Sequence, residues 1–135
     1  MMKAGTYYIG DLCYVMHPEW DEFCSLTISG HNVLDGEFNL KDGRRFATFT
    51  TKWGDGTYKD EQGRTYGVDA GLIGCINVKD ITPSELENLK DGHVVEFVQD
   101  FSTFSAGGII RIGSVCIDTD FEEIEDEAED DLYAL

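Results

Sequence analysis

NVLDGEFNLKDGRRFATFTTKWGDGTYKDEQGRTYGVDAGLIGCINV, residues 32–78, is the stretch that decides the fold. Turn dipeptides punctuate it at Asp35-Gly36, Asp42-Gly43, Asp55-Gly56 and Gln62-Gly63. Asp-Gly suits two-residue hairpin loops because both central positions of a type I′ turn need φ > 0. Between the turns lie short strand-like runs at 37–41, 45–52, 57–59, 64–69 and 72–78. This spacing predicts a meander or Greek-key sheet.

Working outward, residues 6–16 (TYYIGDLCYVM) are rich in aromatic and β-branched types and predict a buried strand. The following His-Pro-Glu-Trp-Asp-Glu-Phe-Cys predicts a short helix. Pro18 suits its first position, Glu19, Asp21 and Glu22 suit the positive end of its dipole, and Trp20, Phe23 and Cys24 share a face. A second helix is expected over 82–90. Thr82-Pro83-Ser84-Glu85 supplies an N-cap, a first-turn proline and a capping-box Glu, Leu86 and Leu89 supply the apolar side, and Asp91-Gly92 supplies the stop. Residues 93–104 and 109–118 read as two long strands joined at Ala106-Gly107-Gly108. Ile9-Gly10 before Cys13 and Ile112-Gly113 before Cys116 share a spacing, which suggests two central strands, each with a Gly where another backbone comes close. The expected fold is mainly β (a β-rich α+β class), an antiparallel sandwich or partly open barrel with two short helices. It occupies residues 1–118, and an acidic C-terminal tail follows over 119–135.

A length of 135 residues suits one domain, and a hydrophobic fraction of 41% supports a real core. No apolar run approaches the roughly 18 residues that a membrane span needs. Residues 1–10 carry no continuous apolar segment of the signal-peptide kind, so a cytoplasmic location is expected. Cys13, Cys24, Cys75 and Cys116 are widely spaced and form neither a C-x-x-C pair nor a zinc-like pattern with histidine. Cys13, Cys75 and Cys116 lie in apolar stretches and read as small buried hydrophobes, with no bound metal or cofactor expected.

The net charge of −17 divides unevenly. Residues 118–131 hold ten carboxylates and no Lys or Arg, whereas residues 1–117 hold seventeen acids and all ten basic residues, a net of −7. Binding to nucleic acid or to an anionic membrane needs Lys or Arg to displace counterions, so neither is expected. A basic protein partner or a divalent cation is compatible with this balance.

Two segments carry the strongest local signatures, Tyr8-Ile9-Gly10-Asp11-Leu12-Cys13-Tyr14 and Tyr66-Gly67-Val68-Asp69-Ala70-Gly71-Leu72-Ile73-Gly74-Cys75. Each sets an Asp beside Gly in an apolar context, where a carboxylate costs desolvation unless it is paired or hydrogen-bonded. Asp11 and Asp69 therefore anchor backbone N–H groups at strand ends, or they share an acidic pocket with His17 that acts as a general base or holds a metal. Gly-Asp and Asp-Ala-Gly are also ordinary turn chemistry, which favours the first alternative. Cys13 and His17 stand four residues apart, as a thiol and its base would, but the low-pKa surroundings of a reactive thiol are missing. His31 and His93 are isolated. P-loop, nucleophile-elbow and dinucleotide-binding patterns are absent from the sequence.

The same segments resemble an uncharacterised family of small bacterial and phage proteins. In that family a G-D-x-C-Y strand opens the chain and a V-D-A-G-x-x-G-C strand follows an aromatic, Gly-rich hairpin. The matching residues are Gly10, Asp11, Cys13 and Tyr14, then Val68, Asp69, Ala70, Gly71, Gly74 and Cys75. The likeness covers about the first 80 residues, and Leu12 stands where the family has a proline. It implies a β-rich fold and no particular activity.

In the tail, the spacing of carboxylates from Asp118 to Glu129 echoes a calcium loop, but Glu123 replaces the glycine that such a loop needs at its sixth position. Glu122, Glu123, Glu125, Asp126, Glu127, Glu129, Asp130 and Asp131 then read as a solvated polyanion or as an arm for a basic partner. Phe121, Ile124, Leu132, Tyr133 and Leu135 interleave them, and a pure solubility tail lacks such residues. The function expected is that of a non-enzymatic acidic binding protein docking on a basic partner protein, an inhibitor or immunity-type factor of phage or bacterial origin. The alternative is a small-molecule or metal-binding pocket protein, or a hydrolase, using Asp11 and Asp69, with Tyr8, Trp20 and Trp53 as walls.

Overall fold

Side chains alternate across a strand, so a sheet covered on both faces needs apolar residues in unbroken runs. The runs Tyr-Tyr-Ile at 7–9 and Leu-Ile-Gly-Cys-Ile at 72–76 have that character. The computed structural model describes residues 1–87 and 89–120. In chain order they form β1 (Gly5–Gly10), α1 (Trp20–Thr27), β2 (Ile28–Ser29), β3 (Asn32–Val33), β4 (Gly36–Asn39), β5 (Arg45–Thr50) and β6 (Gly56–Lys59). There follow β7 (Thr65–Val68), β8 (Leu72–Asn77), α2 (Pro83–Leu86), β9 (Gly92–Phe97), β10 (Thr103–Ala106), β11 (Ile109–Ile112) and β12 (Val115–Asp118).

A five-stranded antiparallel sheet runs β4-β5-β8-β1-β9, a three-stranded sheet runs β10-β11-β12, and β2–β3 and β6–β7 are hairpins. The main core lies between these sheets. Tyr7, Ile9, Phe49 and Ile73 from one side meet Ile110, Ile112 and Ile117 from the other, with Tyr58 and Tyr66 of the β6–β7 hairpin closing the side. The alternate residues Tyr8, Phe46 and Ile76 face the opposite way, into a second core under Leu12 and Phe23. Trp20 stacks on Phe23 at 4.4 Å and Phe23 on Phe46 at 4.8 Å, which pins α1 to the sheet. Burying Phe23 alone contributes about 2–3 kcal/mol.

The sheets follow one another around a ring. Thr103 Oγ1 donates to Glu37 (2.7 Å) between β10 and β4, Gly67 N donates to Asp91 O (3.1 Å) between β7 and β9, and Asp60 bridges to Ile117 between β6 and β12. No ladder closes it, so the fold is an open antiparallel sandwich and not a closed barrel. The mainly β expectation is met.

All five strands expected within 37–78 form, each within about two residues of its expected ends. Other details differ. The strand expected over 6–16 stops at Gly10, because Asp11 caps a 3-10 turn, Leu12–Tyr14, by accepting from Cys13 N. Asp35-Gly36 and Asp55-Gly56 lead into β4 and β6 and are not hairpin loops; those fall at Gly30-His31, at 40–44 and at 60–64. The helix expected over 82–90 is a single turn with no side-chain cap. Thr82 Oγ1 instead donates to Glu19 (3.0 Å), and Glu85 faces His17, so tertiary partners displace the capping box. The strand expected over 93–104 divides into β9 and β10, and that over 109–118 turns at Gly113-Ser114 into β11 and β12. Thr119 and Asp120, assigned to the tail by charge, pack with the body: Thr119 is fully buried. Residues 121–135, including the carboxylates from Glu122 to Asp131, lie outside the described residues. Among the described residues no helix is long and apolar enough to cross a membrane.

Candidate functional site

The register of the central sheet gathers the sequence's unusual Gly and Asp residues at one end. Gly10 opposes Gly74 on β8 and Gly92 on β9, while Thr48 opposes Gly74 on β5. Three glycines therefore lie in a row across the sheet. A Cβ on Gly74 would stand 2.0 Å from Ala47 O, and one on Gly92 would stand 2.6 Å from the Tyr8 hydroxyl. The row leaves room for the Tyr8 ring, whose hydroxyl donates to Lys90 O (2.8 Å), and for Leu12.

Because β1 ends where β8 and β9 begin, Asp11, Asp69 and Asp91 come to the same rim. Asp11 is fully buried. Its Oδ1 accepts from Cys13 N (2.9 Å), and its Oδ2 accepts from Asp69 N (2.7 Å) and Ala70 N (2.6 Å). The two sequence motifs meet here, but through one carboxylate and two backbone N–H groups. The Asp69 side chain is exposed.

His17 is not part of this arrangement. Its Nδ1 lies 3.1 Å from Glu85 Oε1. It lines a shallow groove of about 500 Å³ with Tyr14, Glu85, Glu87, Leu89 and Lys90. Of the proposed aromatic walls, Tyr8 is buried in the second core, Trp20 stacks on Phe23, and Trp53 is exposed and donates its indole N–H to Asp120 O (3.2 Å). These three do not line a common pocket.

Asp91 and Tyr14 complete the rim; the sequence reading takes Tyr14 as a motif residue and Asp91 as a helix stop and places neither at a site. Asp91 is the one non-glycine described residue with positive φ (57°), and its Asp-Gly step reads in the sequence as a helix stop. Tyr14 lies under the Lys90 ammonium, 5.4 Å from the ring centre. Burial, and after it the charges of Asp69 and Asp91, push the Tyr14 hydroxyl up to about 12. Burial, then the hydrogen bond and charge of Asp11, push the Cys13 thiol up to about 12 as well. A thiol so protonated at neutral pH is a poor nucleophile, and His17 is turned to Glu85. Among the described residues no group of three or more His, Cys, Asp or Glu side chains is arranged to hold a metal.

The rim is thus a fixed carboxylate spent on the backbone, bordered by exposed carboxylates. This defines a mainly β, antiparallel protein with an acidic end. Comparison with family models, with curated proteins and with solved structures finds no match to the chain.

Proposed function

We propose that this chain is a non-enzymatic acidic binding protein whose carboxylates, those of the C-terminal segment foremost, dock on a basic protein partner. The observation that carries this reading is where the arginines go. Three of the four are paired with carboxylates of the chain: Arg44 to Glu19 (2.5 Å) and Asp42 (2.9 Å), Arg45 to Glu37 (2.5 Å), and Arg64 to Asp60 (2.7 Å). Asp60 is buried; burial pushes its carboxyl up, and hydrogen bonds from Tyr66, Arg64 and the Gln62 and Arg64 N–H groups outweigh this and hold it below the ordinary range. Each of these cations is matched by at least one adjoining carboxylate, so the pairs contribute little to the outward field. Exposed carboxylates such as Asp69, Asp91, Glu87 and Glu96 set that field, which steers a basic partner toward the protein.

An inhibitor or immunity-type role of phage or bacterial origin is the finer form of this proposal. The Asp11 geometry supports the binding reading over a hydrolytic one, since three N–H groups occupy the carboxylate that a general base would use.

A pull-down from bacterial lysate at low and high salt, with the full chain and a chain ending at Asp120, tests the proposal. A basic protein retained by the full chain, released by salt and lost on truncation is the expected result. Capture that resists salt and survives truncation would assign binding to the apolar surface of the β domain and overturn the reading.

A further inference from the structure

The β6–β7 hairpin turns Tyr58, Tyr66 and Val68 into the core, so the alternate residues Thr57, Lys59, Thr65 and Gly67 make up its outer face. The seam with β9 runs along this hairpin. Gly67 N donates to Asp91 O (3.1 Å), and the His93 Nε2 atom stands 2.8 Å from Thr65 O. A polar cleft of about 390 Å³ opens in the seam, lined by Thr57, Thr65, Gly67, Asp91, Gly92 and His93. It lies apart from the Tyr14–His17 groove, with which it shares no lining residue.

The side chains of this cleft present acceptors. A carbonyl oxygen cannot donate, so His93 Nε2 carries the proton shared with Thr65 O, and the neutral ring keeps its lone pair on Nδ1. The Asp91 carboxylate is folded over Gly67: a Cβ at position 67 would stand 2.9 Å from Asp91 Oδ1, so the glycine is what gives the carboxylate this place. Thr57 faces Gly67 across the hairpin, and its hydroxyl and that of Thr65 can accept as well. Of the nearby cations, Lys59 faces Thr65 across the hairpin and Lys90 lies over the Tyr14 ring; neither lines the cleft.

We propose that this cleft is an arginine-binding site, in which the Asp91 carboxylate and His93 Nδ1 accept from the guanidinium of an arginine on a basic protein partner. The proposal rests on the binding reading above for its partner and on the cleft alone for its chemistry. A guanidinium carries N–H donors and no acceptor, the complement of a cleft that holds a carboxylate, an imidazole lone pair and no cation. Its donors lie along the edges of one plane, so a single group can meet both acceptors, and its charge strengthens each bond. Lysine offers a compact, strongly hydrated point charge and loses more on leaving water. A metal ion fits less well. The cleft offers one Asp and one His, among the described residues no three such side chains converge, and the space suits a group of several atoms. A guanidinium seated there would lie across the seam between β7 and β9.

Titration of the full chain with Nα-acetyl-arginine methylamide, followed by backbone and imidazole NMR shifts, tests the site without any partner. Saturable shifts are expected at Gly67, Asp91, Gly92 and the His93 ring. The lysine analogue should bind about tenfold more weakly, and the citrulline analogue, which keeps the shape and loses the charge, should leave these resonances in place. Asp91→Asn keeps the size of the side chain and suits the positive φ of that position, so the fold stands while arginine affinity falls about tenfold. Equal shifts with citrulline, equal affinity for lysine, an affinity unchanged by Asp91→Asn, or shifts confined to other acidic residues would overturn the proposal. So would zinc chloride moving the cleft resonances where arginine does not. The titration reports on the cleft and the pull-down on the partner, so either reading can fail alone.

Discussion

Asp11 shows how one side chain can do the work of a local core. Its carboxylate ties the 3-10 turn after β1 to the Asp69-Ala70 turn before β8, 58 and 59 residues away along the chain. Hydrogen bonds to a charged acceptor stabilise more than neutral ones, and removing a buried acceptor strands its donors. Asp11→Ala is therefore expected to lower stability by about 3 kcal/mol, read as a shift in the urea midpoint. Asp69 contributes its N–H and not its carboxylate, so Asp69→Asn should stay within about 0.5 kcal/mol of the parent. Equal losses in the two variants would mean that the Asp69 side chain takes part. Both motifs stand out in the sequence because an Asp beside Gly in an apolar run needs a partner. That a single carboxylate serves both is not visible there, since no local pattern encodes a contact across 58 residues. The same limit hides Asp91, whose role depends on β9 lying against β1 and β7.

At the scale of elements, the row of glycines at positions 74, 10 and 92 lets Tyr8 and the 3-10 turn lie close against the sheet. A methyl at position 74 would overlap Ala47 O, which belongs to the neighbouring strand and cannot swing aside as a side chain does. Gly74→Ala is expected to cost about 3 kcal/mol by overpacking, read by chemical denaturation. Gly63→Ala is its control for space, since nothing lies within 4 Å of that Cβ, although a φ of 83° adds a backbone penalty of about 1 kcal/mol. A loss at Gly74 no larger than at Gly63 would remove the close-approach argument. Strand positions within 37–78 follow from turn residues and β-branched patterning, both local. The capping box at Thr82 fails for the opposite reason: the Thr82 hydroxyl is turned to donate to Glu19, 63 residues away, and does not accept from the helix's own N–H groups.

At the scale of the whole molecule, the packed chain continues past Asp118, where the charge pattern changes, through Thr119 and Asp120. Thr119 is buried and joined to Gly108 and Lys52, closing the corner between the three-stranded sheet and the β5–β6 loop. A chain ending at Ile117 should unfold at a lower temperature than one ending at Asp120, with a difference of about 2 kcal/mol from the lost buried hydrogen bonds. Calorimetry of the two measures it, and equal melting temperatures would mean that Thr119 adds nothing to the packed body. Length, turn spacing and apolar runs are local properties, and the sequence by itself determined the β class, the number of strands in its middle third and the acidic balance of the chain. The ring order of the sheets, the rim where Asp11, Asp69 and Asp91 meet, the separation of His17 from them and the pairing of three arginines with carboxylates were decided only by tertiary structure. Each depends on which strands become neighbours, and that is settled by burying both faces of the central sheet at once.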